Sequence, residues 1–154
     1  MIKHILIPTD GSELSLKAAK LGGEFARAMR SRVTVLSVLD DEAVVAAAWG
    51  STGGPYASTG PDISIETVRK QMESNALDNI LPDAVTAIGE LATLPKAEHT
   101  WGHAASGICD YAAENGVDLI VMGSHGRSGI KRVLLGSVSH AVANRAPCAV
   151  TIVR

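Results

Sequence analysis

Glycine, serine and cationic residues are concentrated in one stretch near the end of the chain, GSHGRSGIKRVLLGSVSHAV, at residues 123–142. Glycine allows positive φ and lets a ligand approach the backbone without interference from a Cβ atom. Successive backbone N–H groups in such a turn form an anion-binding surface. Gly136 and Ser137 then open a predicted helix, whose free N–H groups and positive dipole end favour phosphate. This combination predicts an anion-binding loop.

The cationic side chains of Arg127, Lys131 and Arg132 lie in the same stretch. Their positions in the sequence do not show whether they point towards a ligand. The alternative is that the glycines only form turns and that the cations are solvated, since neither GxGxxG nor GxxxxGK[ST] occurs in the chain. The residues of the loop leave both interpretations open.

Short apolar runs with β-branched residues predict strands that are covered on both faces. The predicted strands are residues 4–9, 32–38, 117–123 and 148–153, with a weaker strand at 97–101. Helical spacing of apolar residues predicts helices at 12–30, 104–115 and 137–145, with Ser12 as the N-cap of the first. The predicted fold is therefore an α/β domain, an open and mostly parallel five-stranded sheet with helices on both faces.

The middle of the chain gives a weaker pattern. Residues 46–61 are rich in Gly, Ser, Thr and Pro and have no period, which predicts a mobile surface loop at about residues 43–61. Residues 63–80 are predicted to be helical, with a break at Pro82 and a second short helix at 83–92.

The 154 residues, 46% of them apolar, are enough for one domain at 1–154. The formal net charge of −2 argues against a nucleic-acid partner, and no run is long enough to enter a membrane. Cys109 and Cys148 form no metal-binding or redox pair, which predicts inert core thiols and a cytoplasmic protein.

Other polar residues indicate no catalytic site. His99 and His103 are expected at the surface or at a strand end, because no third metal ligand follows at a telling distance. His140 is expected to be structural. Asp10 and Ser12 lack the GxSxG turn of a hydrolase triad, so no catalytic residue and no metal ligand is predicted. The acidic side chains of residues 40–42 are expected to be solvated.

Where parallel strands end, the segments PTDGS, VLDDE and GSHGRSG are expected to share one crevice. The spacing Gly123-x2-Gly126-x9-Gly136-Ser137 resembles the G-2x-G-9x-G(S/T) signature of the ATP-binding branch of the universal stress protein (UspA-like) family. KHILIPTDGS resembles the family's first strand and turn, and VTVLSVLD resembles its second strand.

The resemblance implies a Rossmann-like fold of the adenine nucleotide alpha hydrolase type, which binds ATP, often with Mg²⁺. Asp10, Val38 and Met122 would lie near the adenine and ribose, and the glycine-rich loop near the ribose and phosphates. The implied binding residues are Pro8, Thr9, Asp10, Val38, Met122, Gly123, Ser124, His125, Gly126, Arg127, Gly136, Ser137, Val138 and Ser139.

The resemblance also implies a homodimer joined through the last strand, a role as a nucleotide-dependent stress-response module and a regulatory protein partner. Two alternatives remain at this point. The chain could be an interaction dimer of the same fold that binds no nucleotide, or it could hydrolyse ATP slowly. Slow turnover is the most that the loop predicts, since it contains no evident residue to orient an attacking water.

Overall fold

The computed structural model describes residues 1–48, 64–126 and 135–154, and Arg127, Lys131 and Arg132 lie outside the described residues. Helices and strands alternate along most of the chain. They are β1 (His4–Pro8), α1 (Glu13–Met29), β2 (Arg32–Leu39), α2 (Asp41–Ala48), α3 (Ile65–Asn75), a π-helical segment (Ala76–Ile80), α4 (Leu81–Ile88), β3 (Lys96–Trp101), α5 (Ala104–Glu114), β4 (Leu119–Gly123), α6 (Ser137–Arg145) and β5 (Ala149–Val153).

All five strands are parallel, in the order β3-β2-β1-β4-β5. The predicted α/β fold is confirmed, and so are its strands to within two residues at each end. Because β1 and β4 are neighbours but are distant in sequence, the order of connections reverses between them.

Alternate residues of each central strand enter different cores. Ile5 and Ile7 of β1 pack on one face beneath α1 and α4. Leu6, between them, packs on the other face beneath α5 and α6 together with Leu36 and Ile120. This alternation follows from the two-residue repeat of a strand. Two apolar layers therefore hold the sheet, and none of the helices within the described residues has the length and apolar character needed to cross a membrane.

Small residues bring α1 close to its neighbours. Ser12 caps this helix by accepting a hydrogen bond from the backbone N–H of Ser15. A Cβ atom at Gly23 would lie 2.3 Å from the carbonyl oxygen of Ile88 in α4. Since a backbone carbonyl cannot move aside cheaply, glycine is required for this helix contact.

Two predictions for the middle of the chain are wrong. Residues 43–48, expected in the mobile loop, belong to α2, which begins directly after Asp40; the rest of that loop, 49–61, lies outside the described residues. Pro82 does not break the helix. It lies in the first turn of α4, and the wider turns of the π-helical segment before it let the helical run continue from 65 to 88. The predicted second helix ends at Ile88.

A third, smaller apolar cluster joins α2 to α3. Val44 of α2 is buried against Val68 and Met72 of α3, with Trp101 at the end of β3 packed beside them. The Arg69 guanidinium carbon lies 4.3 Å from the centre of the Trp101 ring, in a cation–π arrangement. The indole N–H donates to a carboxylate oxygen of Glu73 at 2.8 Å. These contacts fix α2 and α3 over the edge of the sheet.

A buried histidine lies at the start of β1, the central strand of the sheet. The His4 side chain is only 4% exposed, and its Nε2 atom lies 2.9 Å from the Thr34 hydroxyl oxygen. Its Nδ1 atom lies 3.2 Å from the carbonyl oxygen of Asn115 and 3.1 Å from the Arg32 guanidinium. Burial lowers the pKa of His4 below its ordinary value of 6.5, and the Arg32 charge lowers it further although the Asn115 carbonyl opposes this.

We predict that His4 makes the protein less stable in mild acid. The unfolded chain takes up a proton at His4 as the pH falls through about 6.5, whereas the folded chain resists it, so the free energy of unfolding decreases over this range. Urea unfolding at about pH 7.5 and about pH 5.5 measures the decrease. His4→Gln should show a smaller decrease than the wild type, and an equal decrease in both would contradict the assignment.

Candidate functional site

A cavity of about 660 Å³ opens at the carboxyl ends of β1 and β4. The chain leaves β1 towards α1 on one face of the sheet and leaves β4 towards α6 on the other. Ligands of doubly wound sheets bind where the connections diverge in this way, and the volume is in the range of small-molecule sites. The cavity is therefore the candidate site.

Thirteen of the fourteen residues predicted from the sequence line this cavity. They are Pro8, Thr9, Asp10, Val38, Met122, Gly123, Ser124, His125, Gly126, Gly136, Ser137, Val138 and Ser139. The fourteenth, Arg127, lies outside the described residues. The lining also contains Ser15, Leu36, Asp40, Ala104, Ile108 and Leu135, which the sequence analysis missed.

The turn after β1 is held by short polar contacts. The Thr9 N–H donates to the carbonyl oxygen of Leu36 at 2.9 Å, and the Thr9 and Ser15 hydroxyl oxygens are 3.1 Å apart. The Asp10 carboxylate accepts the N–H of Ser12 at 3.0 Å. These contacts fix the Asp10 side chain at the cavity wall, where a Cβ atom at Gly126 would lie 2.6 Å from its second oxygen.

The two described ends of the glycine-rich loop meet at one carbonyl oxygen. The Ser124 carbonyl accepts the Gly136 N–H at 2.7 Å and the Ser139 hydroxyl at 2.7 Å. The Ser124 N–H donates in turn to the Val153 carbonyl of β5 at 2.7 Å. A Cβ atom at Gly136 would lie 3.0 Å from the Ser124 oxygen, so a larger residue would push the ends apart. We call this arrangement the Ser124 clasp.

The start of α6 faces the cavity without a side-chain cap. Gly136 is the N-cap, and a glycine has no side chain with which to accept a hydrogen bond from the first turn. The first N–H groups of a helix have no partner within the helix, so those at Ser137 and Val138 are available to an anion. The Ser139 hydroxyl proton is used by the clasp, so this side chain braces the loop.

The opposite side of the cavity is apolar. Leu36 and Val38 of β2, Met122 of β4, and Ala104 and Ile108 of α5 form it. Such a wall suits a flat, weakly polar group. The site therefore combines an apolar surface with a row of backbone donors.

Titratable side chains in the described lining are Asp10, Asp40 and His125. Nδ1 of His125 lies 3.1 Å from the Ser124 hydroxyl oxygen, and Nε2 is buried with no hydrogen-bond partner among the described residues. No lysine or arginine is among the described lining residues. Within this part of the chain, attraction for an anion therefore comes from backbone N–H groups.

One expectation about the acidic run is wrong. Asp41 and Glu42 are exposed, as expected, but Asp40 is half-buried and lines the cavity, because it directly follows β2. His103 was expected to have no partner ligands, yet ligand atoms of Asp40, Glu42 and His103 all lie within 4.8 Å of one another. The pairing of Leu39 in β2 with Trp101 in β3 brings these segments together.

The remaining predicted groups lie away from the cavity. His99 is on β3, with Nε2 3.9 Å from a Glu73 carboxylate oxygen, and His140 is exposed on α6. Cys109 and Cys148 are free thiols, and burial raises the pKa of both, which keeps them protonated at neutral pH. The prediction of inert thiols agrees with this environment.

The strand order and the cavity at the reversal of connections define a doubly wound, Rossmann-like α/β domain with a ligand pocket at its switch point. The sequence profile of the Universal stress protein family matches residues 1–154. The chain belongs to the universal stress protein family.

Known members of the family are similar along the whole chain. Universal stress protein YxiE of Bacillus subtilis is 35% identical over 154 residues, covering 100% of both chains. The solved structure of MJ0577, from Methanocaldococcus jannaschii, superposes with a TM-score of 0.79 at 25% identity and covers 99% of this chain and 96% of that one. A universal stress protein solved in complex with cAMP superposes at 0.65 and 25% identity, covering 99% and 97%.

We predict that Ser139→Ala weakens the Ser124 clasp. The buried Ser124 carbonyl would keep the Gly136 N–H but lose the hydroxyl, which should lower the free energy of unfolding by about 1 kcal/mol. Urea unfolding measures the loss. Ser137→Ala is the matched control in the same turn, because its hydroxyl is not one of the two donors to Ser124. Equal losses in the two variants would contradict a specific role for Ser139.

Proposed function

We propose that the protein binds ATP in the switch-point cavity and acts as a nucleotide-dependent stress-response module. The observation that carries this proposal is the Ser124 clasp, which holds both ends of the glycine-rich loop beside the uncapped start of α6. Backbone N–H groups arranged in this way suit phosphate oxygens.

The two halves of the cavity match the two halves of a nucleotide. Adenine is flat and suits the apolar wall of Leu36, Val38 and Met122, and phosphates suit the N–H groups at Ser137 and Val138. The related protein solved in complex with cAMP supports an adenine nucleotide as the ligand class.

Mg²⁺ fits this site as a companion of the phosphates. In the described residues, the group of three possible metal ligands is at the ends of β2 and β3, and no residue of α6 belongs to it. Oxygens of the phosphates, water and the Ser137 hydroxyl are the hard ligands that Mg²⁺ prefers. The ion would therefore enter with the nucleotide, and it would neutralise phosphate charge near Asp10.

Binding, with at most slow hydrolysis, is the function that the side chains favour. Asp10 is engaged by the Ser12 N–H, and His125 is engaged by the Ser124 hydroxyl. General acid–base catalysis needs a positioned group to move the proton of the attacking water. The nucleotide would thus act as a signal, read by a regulatory protein partner in the cytoplasm.

Titration of the nucleotide-free protein with MgATP by calorimetry tests the proposal. Gly136→Val should weaken binding at least about a hundredfold, because the side chain would separate the loop ends and cover the N–H groups. Ala113→Val, at an exposed position of α5, is the control and should bind as the wild type does. If the wild type does not bind MgATP, the proposal is wrong, and the alternative of an interaction dimer that binds no nucleotide is favoured.

Chromatography and mass spectrometry of the small molecules released on denaturation provide a second readout. We expect an adenine nucleotide in the wild-type sample and less of it in Gly136→Val. A melting curve of each variant shows that it is folded before titration. Equal amounts of nucleotide in both would contradict the assigned position of the phosphates.

We also propose that the protein forms a homodimer through β5. This strand is at one edge of the sheet, and its side chains Val150, Ile152 and Val153 are half-buried rather than charged. An edge of this kind presents unpaired backbone groups to a second copy. The opposite edge, β3, carries Lys96 and Glu98, which discourage such pairing.

Light scattering coupled to size-exclusion chromatography tests the dimer. Thr151→Lys, which adds a charge to β5, should shift the mass towards that of the monomer, since two lysines would then face each other across the symmetric edge. Ala97→Lys places the same charge on β3 and should leave the mass unchanged. A wild-type monomer, or dissociation only in Ala97→Lys, would contradict the proposed interface.

A further inference from the structure

Three metal-ligating side chains converge at the rim of the cavity from two separate parts of the chain. Asp40 and Glu42 are at the junction of β2 and α2, and His103 directly precedes α5. Ligand atoms of all three lie within 4.8 Å of one another, and the His103 Nε2 atom is 3.8 Å from a Glu42 carboxylate oxygen. Small rotations of these side chains would bring them to the spacing of donors around one ion.

The backbone beneath these side chains is fixed. The Gly102 N–H donates to the Leu39 carbonyl at 2.9 Å, which continues the β2–β3 ladder to the residues next to Asp40 and His103. The His103 carbonyl accepts the Gly107 N–H of α5 at 2.8 Å. These hydrogen bonds fix the backbone from which the ligands project, so only the side chains would have to become ordered around an ion.

One Asp40 carboxylate oxygen accepts the backbone N–H of Glu42 at 2.8 Å, which holds this side chain at the start of α2. His103 is the N-cap residue of α5, but its side chain makes no capping hydrogen bond. Among the described residues, Asp41 is paired with Arg69 at 3.3 Å, whereas no lysine or arginine lies within ion-pair distance of Asp40 or Glu42. The carboxylates of Asp40 and Glu42 therefore lie beside the His103 imidazole, and no lysine or arginine among the described residues pairs with them.

We propose that Asp40, Glu42 and His103 bind a divalent first-row transition metal ion, with Zn²⁺ as the preferred ion. An imidazole nitrogen with two carboxylate oxygens is a borderline ligand set that suits Zn²⁺ better than Mg²⁺ or Ca²⁺. Three protein ligands leave a coordination position open to water or to a bound molecule. Because Asp40 also lines the cavity, the ion connects α2 and α5 across its rim.

This site does not depend on the proposed nucleotide. It is formed by the ends of β2 and β3, and the Ser124 clasp is formed by β4, β5 and α6. Metal binding is therefore measured without nucleotide. A protein that binds no Zn²⁺ could still bind ATP, and a protein that binds no ATP could still bind Zn²⁺.

Calorimetric titration of the chelator-treated, nucleotide-free protein with ZnCl₂ tests the proposal. The wild type should bind one Zn²⁺ per chain. His103→Gln and Asp40→Asn should each weaken binding at least about tenfold. Removing a residue that only hydrogen-bonds to a metal ligand already lowers metal affinity by about tenfold or more, and these variants remove a ligand itself. His140→Gln, which removes an exposed histidine outside the cluster, should bind as the wild type does. Undiminished affinity in His103→Gln, or lost affinity in His140→Gln, would overturn the site.

Substitution of Co²⁺ for Zn²⁺ identifies the ligands. The visible spectrum should show ligand-field bands of nitrogen and oxygen coordination, without the near-ultraviolet charge-transfer band that a Cys109 or Cys148 thiolate would give. A thiolate band, a stoichiometry of one ion per two chains, or displacement of Zn²⁺ by equal Mg²⁺ would each overturn the proposal. Melting curves of the metal-free variants confirm that they are folded.

Discussion

The carbonyl oxygen of Ser124 is the point on which the candidate site depends. It receives two short hydrogen bonds from the far end of the glycine-rich loop, and the N–H of the same residue is bonded to β5. Chain segments on either side of residues 127–134 are thereby attached to the sheet at one place. The first turn of α6 keeps its orientation because the N-cap residue Gly136 and the third helical residue Ser139 are the donors. Backbone N–H groups cannot change direction as a side chain can. A site that consists of them therefore needs hydrogen bonds that hold the backbone in place.

The layered core supports this arrangement from below. Alternate residues of β1 and β4 pack on opposite faces, so the helices that follow these strands are drawn to opposite sides of the sheet. Their divergence leaves the cavity between Thr9 and Gly123. The same buried strands and glycine spacing thus explain both the fold and the membership of the universal stress protein family.

Features that depend on local pattern could be predicted from the sequence. The strands are short apolar runs, and the cavity residues follow from the glycine spacing and from the positions where strands end. The grouping of Asp40, Glu42 and His103 could not be predicted, because it depends on the register in which Leu39 pairs with Trp101. Pro82 was predicted to break the helix, but the wider turns of the preceding π-helical segment accommodate a proline inside the continuous helical run.

The small cluster of Val44, Val68 and Met72 has a further consequence for the cavity. It is separate from the two cores that hold the sheet, and it is the apolar contact between α2 and α3. Regions with few buried apolar contacts open at lower free energy than the global transition. Amide hydrogens of α2 should therefore exchange through a local opening that leaves β1 and β4 intact. Since α2 starts beside Asp40, each such opening would widen one wall of the pocket, while the Ser124 clasp keeps its shape.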